Sequence, residues 1–445
     1  MSIGLREEME AFLVEELLSL WRLYIGFSAE RGATLGHDRA WHVATPFQNL
    51  VGQARCLWFW SRLARSPWGE AADLDRARSV ARFMDTRLRD EEHGGYSWCL
   101  RGKWRRPDTR KHVYGQAFDL YALSEFARVA SDATAAARAR ELFALLERHA
   151  HDPLHGGYWE CHDAGWRRIP QASDILGRLG PLKTYNTHLH VMEALATYVD
   201  LTGEELARER LREVADLIQT RCVRPDVAMA SDVFGEDWSR VEEGTLGHAS
   251  PGHDVEMVWL MMEARAGLGE PPRARLGLYS AVSEAAHAHG LDAGAGGLYG
   301  SCPPGVAASD RMKVWWAQAE GLVHAARMWR TTAQPRRLRA LESIWGFAQE
   351  GLRDRERGGW VAERRADGST AGFKTGGWRT PYRDGRAILE VLALLDLSRA
   401  EEGAGGVGWT CVRARAPRTF RRTGHPWGRW WPGLRTGMES VLSHG

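Results

Sequence analysis

Six cysteines in 445 residues, at 56, 99, 161, 222, 302 and 411, form no CxxC pair and no regular spacing. That argues against a zinc module and a disulfide framework, and it suits a reducing cytoplasm. Charge of one sign is also missing. Lys and Arg (59) nearly balance Asp and Glu (57), for a formal net charge of +2, so composition gives no case for nucleic acid as the main partner. No run of about 18 apolar residues occurs, so no segment is expected to span a membrane. The N-terminal MSIGLREEMEAFLVEELLSLW mixes Glu into apolar positions at helical spacing, as an amphipathic helix does and a signal peptide does not.

What the chain does have is a repeat. Asp, three residues, Gly-Gly and a large apolar residue occur at DEEHGGY (from Asp90), DPLHGGY (Asp152), DAGAGGL (Asp292) and DRERGGW (Asp354), in steps of 62, 140 and 62 residues, as though one copy near 220–235 had decayed. A period of this size marks one repeated supersecondary unit. Each Gly-Gly follows a stretch with helical apolar spacing, such as 71–87 or 132–150, and so marks the turn beyond a helix C-terminus. A loop with Trp and basic residues comes next, then a more apolar helix such as 112–130.

The whole chain then divides into about twelve helices in two alternating sets. The first set begins near 4, 72, 133, 203, 274 and 335, the second near 46, 110, 182, 251, 311 and 381. One set is apolar nearly all round and the other amphipathic, which describes an all-α (α/α)6 barrel, an inner ring wrapped by an outer ring. An open solenoid of helix pairs is the rival; the count of six favours closure. The barrel is expected over 1–400, with a Gly/Arg-rich tail at 401–445. Because every hairpin runs in the same sense, the inner-helix N-termini gather at one end, where a pocket should form.

The run YNTHLHVMEA places Asn186, His188, His190 and Glu193 within eight residues. Positions two apart on a helix differ by about 200°, so His188 and His190 point to nearly opposite sides and cannot share a metal. Asn186, His190 and Glu193 share one face. Each histidine reads equally well as a hydrogen-bonded core group or as part of a site. First turns of the other inner helices supply Arg55, Tyr114, His253, Glu256, Trp315, Trp316, Glu320, Trp378, Arg383 and Arg386. An aromatic cleft with a few convergent ionisable groups is the usual form of a small-molecule site, and flat indole rings suit the C–H faces of sugars.

Across residues 1 to about 400 the chain resembles the N-acylglucosamine 2-epimerase superfamily, most closely its cellobiose 2-epimerase branch. The matching stretches are QARCLWFWS, KHVYGQAFDLYALSE, NTHLHVMEA, PGHDVE, KVWWAQAE and the run from Trp378 to Ala387, WRTPYRDGRA. The resemblance implies an (α/α)6 barrel, no metal or other cofactor, and a reducing mono- or disaccharide altered by proton transfer at C2. Carried over by position, Arg55, Asn186, His190, His253, Glu256, Trp316 and Trp378 fall on the family's binding and catalytic positions; Tyr114 and Glu320 are added as substrate contacts. One departure matters. The family has a histidine after Pro-Tyr, one of its two acid–base groups, and this chain has Arg383, which stays protonated and cannot act as a general base.

Epimerisation at C2 normally takes two acid–base groups on opposite faces of the sugar. Moving a proton between C2 and C1 of a cis-enediolate takes one base, which suits His253, with Glu256 one turn on expected to fix its tautomer and Arg383 to stabilise the enediolate. Three readings stay open: a 2-epimerase in which His190 or a group such as His248 replaces the missing histidine, an aldose–ketose isomerase using His253, and a sugar-binding barrel without turnover. GAGGVG at 403–408 fits a nucleotide-loop pattern, yet no strand is expected before it and a linker is the better reading. Monomer and homodimer are both compatible with the sequence.

Overall fold

Every second helix in this chain is buried on all sides, and that alternation sets the architecture. The computed structural model describes residues 3–44, 48–101, 106–169, 182–242, 244–308 and 310–404. In chain order the helices are α1 (3–24), α2 (Leu50–Ala64), α3 (71–88), α4 (Val113–Ala130), α5 (Ala133–His149), α6 (Tyr185–Thr202), α7 (205–222), α8 (Pro251–Gly267), α9 (Leu276–Gly290), α10 (Trp315–Thr332), α11 (335–352) and α12 (Pro381–Ala404). Four of the outer helices, α1, α3, α7 and α11, contain a π-helical stretch. On α4 every residue from Val113 to Ala127 is buried. On α5 only Ala135, Ala139, Leu142, Phe143 and Leu146 are, the one-sided stripe of an outer helix.

The even-numbered helices form the inner ring. Each packs on the next, α2 on α4 and so on to α12, and α12 packs back on α2. The ring is closed, as an (α/α)6 barrel requires and a solenoid forbids. Each odd-numbered helix lies outside, with α1 covering α12.

The inner helices start later than their apolar pattern begins: at 50, 113, 185 and 315 where the sequence predicts 46, 110, 182 and 311. The residues just before them are short strands. Gln48–Asn49 pairs with Cys99–Arg101, Lys111–His112 with Cys161–His162, Lys183–Thr184 with Val233–Phe234, and Lys313–Val314 with Glu363–Arg364, all antiparallel. An isolated bridge joins Ala249 to Cys302, and the Lys374 N–H donates to the His37 carbonyl at 2.9 Å. Each hairpin's rim is thereby stitched to the next around the whole mouth.

The Asp-x-x-x-Gly-Gly repeat fastens this end. Asp152 Oδ1 accepts the N–H groups of Leu154 and His155 at 3.0 and 3.2 Å, while its Oδ2 holds the buried Lys183 ammonium at 2.7 Å. Asp90 holds Lys111, Asp292 holds Lys313 and Asp354 holds Lys374 in the same way. Both glycines of each pair have φ between 66° and 76°, a region that disfavours side chains. At Gly157 a Cβ would also stand 2.8 Å from His188 Nε2.

A second fastening lies at the fourth residue of α2, α4, α6, α8 and α10. Gln53, Gln116 and Gln318 each accept a backbone N–H and return one to the carbonyl of the same residue: Ala33, Tyr96 and Leu298. On α6 this position is His188. Its Nδ1–H donates to the Thr184 carbonyl at 2.7 Å and its Nε2 accepts the Tyr158 N–H at 3.0 Å, so His188 belongs to the scaffold. Of the tail expected at 401–445, residues 405–445, with most of the GAGGVG run, lie outside the described residues.

Candidate active site

Helix caps aim the first turns of the inner ring at one another. Asn49 Oδ1 accepts the Gly52 N–H at 2.9 Å, Thr184 Oγ1 the Thr187 N–H at 3.1 Å, and Ser250 Oγ the His253 N–H at 3.3 Å. From these turns a continuous set of contacts crosses the barrel. Arg55 donates to the Trp378 carbonyl at 2.7 Å and to the Tyr114 hydroxyl at 3.0 Å. The Tyr114 ring stands edge-on to His190 at 5.2 Å. His190 Nε2 faces Arg383 Nη2 at 3.4 Å, the Arg383 guanidinium lies 5.4 Å from the Trp316 ring centroid, and Trp316 packs on His253 at 4.6 Å.

Nine of the ten residues singled out from the sequence are linked this way once Glu256 and Glu320 are added: Arg383 Nη1 donates to Glu256 at 2.6 Å and to Glu320 at 2.5 Å. The tenth, Asn186, sits in the first turn of α6. Its N–H bonds Asp232 at 3.1 Å, and its side-chain oxygen is buried without a hydrogen-bond partner among the described residues. His248 falls in the loop between a 3₁₀ turn at Gly244–Gly247 and α8.

Depth sorts these groups. Trp378 is 42% exposed, His253, Trp316 and Asn186 are half-buried, and Glu256, Glu320, His190 and Arg383 form a floor closed to solvent. A buried carboxylate with no cation would be costly; here Glu320 also accepts from Arg386 at 2.6 Å and from the Trp259 indole at 3.1 Å. Glu193 accepts from His190 Nδ1 and from the Tyr382 hydroxyl, both at 2.9 Å, and from Arg386 at 2.5 Å.

The carboxylate that orients an imidazole is therefore Glu193, on His190. Glu256 was expected to fix the tautomer of His253; its ion pair is instead with Arg383, because Arg383 reaches across the ring to it. Glu193 and Arg386, placed on the inward faces by the sequence without an assigned role, complete the floor together with Tyr382 and Trp259, which the sequence did not single out. Among the described residues no group of three metal-ligating side chains has the arrangement to hold an ion, and no helix is long and apolar enough to cross a membrane.

Proton affinities follow from burial and partners. Burial lowers His190 to about 3 although Glu193 pulls the other way, so the ring is neutral, with Nδ1–H toward Glu193 and its Nε2 lone pair toward Arg383. Burial also opposes charge on Glu193, yet Arg386 and His190 overcome it and hold that carboxyl at about 2. On Glu256 burial wins over Arg383 and raises the carboxyl to about 7. On Arg383 burial is outweighed by Glu256 and Glu320, which lift it further above its ordinary value. Arg383 is a fixed cation.

The sequence profile of the N-acylglucosamine 2-epimerase (GlcNAc 2-epimerase) family matches residues 37–382. The chain is 28% identical over 399 residues to a cellobiose 2-epimerase of Bacteroides fragilis, covering 87% of this chain and 98% of that one. It is 28% identical over 292 residues to a D-mannose isomerase of Thermobifida fusca, covering 62% and 68%. In structure it is similar to the cellobiose 2-epimerase of Spirochaeta thermophila, with a TM-score of 0.79, 30% identity, and 89% of this chain and 98% of that one covered.

Proposed function

This chain belongs to the N-acylglucosamine 2-epimerase family, and from that premise we propose that it is an aldose–ketose isomerase of a reducing sugar that works with one base, His253. The chain is a sugar epimerase or isomerase acting at C2, the class of its relatives. The outcome within that class turns on how many groups can carry a proton to carbon. The observation behind the one-base reading is the clamp on Arg383, 2.6 Å from Glu256 and 2.5 Å from Glu320, at the position where the family resemblance implies a second acid–base histidine.

In this scheme the open-chain aldose lies against Trp316, with its C2–H toward His253. His253 takes that proton, leaving a cis-enediolate, and, after exchange of the imidazolium proton with solvent, delivers a proton to C1 on the same face. The hydroxyl proton moves from O2 to O1. Glu256 is suited to relay it, since its Oε2 is buried with no hydrogen-bond partner among the described residues and its affinity lies near neutrality. Arg55 supports the enediolate charge: its side-chain hydrogen bonds go to a carbonyl and a hydroxyl, which leaves its cation available to an oxyanion. Trp378, Tyr114, Asn186 and Glu320 serve as binding groups around the sugar.

One observation favours 2-epimerisation as the second reading: His190 lies on the same floor, with Nε2 beside Arg383. Incubation with a panel of reducing sugars in D2O, followed by NMR at C1 and C2, separates the outcomes. The isomerase gives ketose with label at C1. A 2-epimer labelled at C2 and formed as fast as ketose overturns the proposal, and no turnover of any sugar leaves the barrel a binding protein. His253→Ala is expected to cost on the order of 10²–10⁴ in kcat with sugar binding retained. Arg383→His is expected to raise the share of 2-epimer.

A further inference from the structure

The fourth-residue fastening differs in the hairpin that carries His253. There the residue is Asp254, whose Oδ1 accepts the Ala230 N–H at 3.1 Å. Ala230 is the counterpart of Tyr96, Tyr158 and Leu298, since each pairs across a short antiparallel bridge with a residue one or two positions beyond the end of the preceding outer helix. Where Gln116 and Gln318 also donate to the carbonyl of their partner, Asp254 Oδ2 is buried with no hydrogen bond of ordinary geometry among the described residues, the Tyr185 hydroxyl standing near the carboxyl. The other fastening is missing from this hairpin. Arg224 stands at the place of the repeat aspartate, next after the bridged Val223, and Ala249 at the place of the lysine, two residues before the helix.

We propose that Asp254 is a positioning residue for the reaction: held as an uncharged carboxylic acid, it donates where the glutamines donate and seats the first turn of α8, with His253, on the Ala230 backbone. Asp254 itself is wholly buried. Burial raises it to about 8, while the Ala230 N–H and the neighbouring Tyr185 hydroxyl pull the other way. The titratable groups that face it are Tyr185 from α6 and Cys302 from the segment before α10, with Cys222 at the end of α7 beyond Tyr185. All are neutral at pH 7, and among the described residues no lysine or arginine pairs with it.

The consequence for pH has a definite sign. The folded chain keeps this proton to about pH 8, whereas an unfolded aspartate releases it near 4. Across that window the folded state binds the extra proton, so this group makes stability fall as pH rises. Asp254→Asn supplies a permanent donor of the same shape and removes that slope.

The role in turnover rests on His253 as the base; the thermal arm of the test does not. Asp254→Asn is expected to keep kcat within about twofold of wild type at pH 7. Its Tm should exceed that of wild type by a margin that grows from pH 5 to pH 8. Wild-type kcat should fall on the alkaline side near pH 8 while the variant holds, and Asp254→Ala should lower kcat with KM little changed. An Asp254→Asn protein that folds but is inactive at pH 7 overturns the proposal, because the anion would then be required. So do parallel Tm–pH curves, or an Asp254→Asn protein that fails to fold. If His253→Ala shows another base at work, the Tm comparison still decides the clamp.

Discussion

His188 and His190 stand two residues apart on one helix and do unrelated work. The helical angle sends the first outward to Tyr158 and the second inward to Glu193 and Arg383. Because glutamine fills the His188 position in three other hairpins, His188→Gln is expected to fold and turn over like wild type. His188→Ala should lose about 1–3 kcal/mol through the orphaned Tyr158 N–H, while His190→Gln should keep Tm and, with His253 as the one base, keep ketose formation and lose any 2-epimer. Thermal melts and kcat/KM on the three variants check this, and an inactive, stable His188→Gln would place that ring in the site after all. The inward-facing set was legible in the sequence because residue spacing on a helix fixes direction. Partner choice was not, since Glu193 and Glu256 stand at the same i+3 distance from a histidine and only the cross-ring reach of Arg383 and Arg386 separates them.

At the scale of elements, six hairpins were readable from apolar period and from the glycine pairs, and ten of the twelve helix starts fall within three residues of expectation. The entry strands were not readable: two residues are too few for a period-2 pattern. Nor did the repeat betray its lysine, because Lys lies 20, 21 or 31 residues after its Asp, across loops of unequal length. These pairs carry a prediction. Asp152→Ala leaves the wholly buried Lys183 ammonium without its anion and should cost about 3–5 kcal/mol in urea unfolding. Replacing both residues with apolar side chains should cost less than Asp152→Ala alone. Additive losses in the double-mutant cycle would mean that the two side chains act independently.

The closed ring makes the molecule depend on its last inner helix. In an open solenoid the terminal hairpin contacts one neighbour and can be lost with a local penalty. Here α12 packs on both α10 and α2, receives α1 from outside, and brings Tyr382, Arg383 and Arg386 to the floor. Its removal would leave Glu193, Glu256 and Glu320 buried without the two arginines that balance them, and would expose the apolar flanks of α2 and α10 to water. The sequence suggested closure only through the count of six; the links that complete it, α12 to α2 and Lys374 to His37, join residues more than 300 positions apart, beyond the reach of any local pattern. A chain ending at residue 380 is therefore expected to be insoluble or unfolded. One ending at 404 retains the twelve described helices and every site residue named above, and is expected to keep a single cooperative urea transition and turnover. Helical signal and a stepwise transition in the shorter chain would show that the hairpins stand without closure and that the floor charges are balanced some other way.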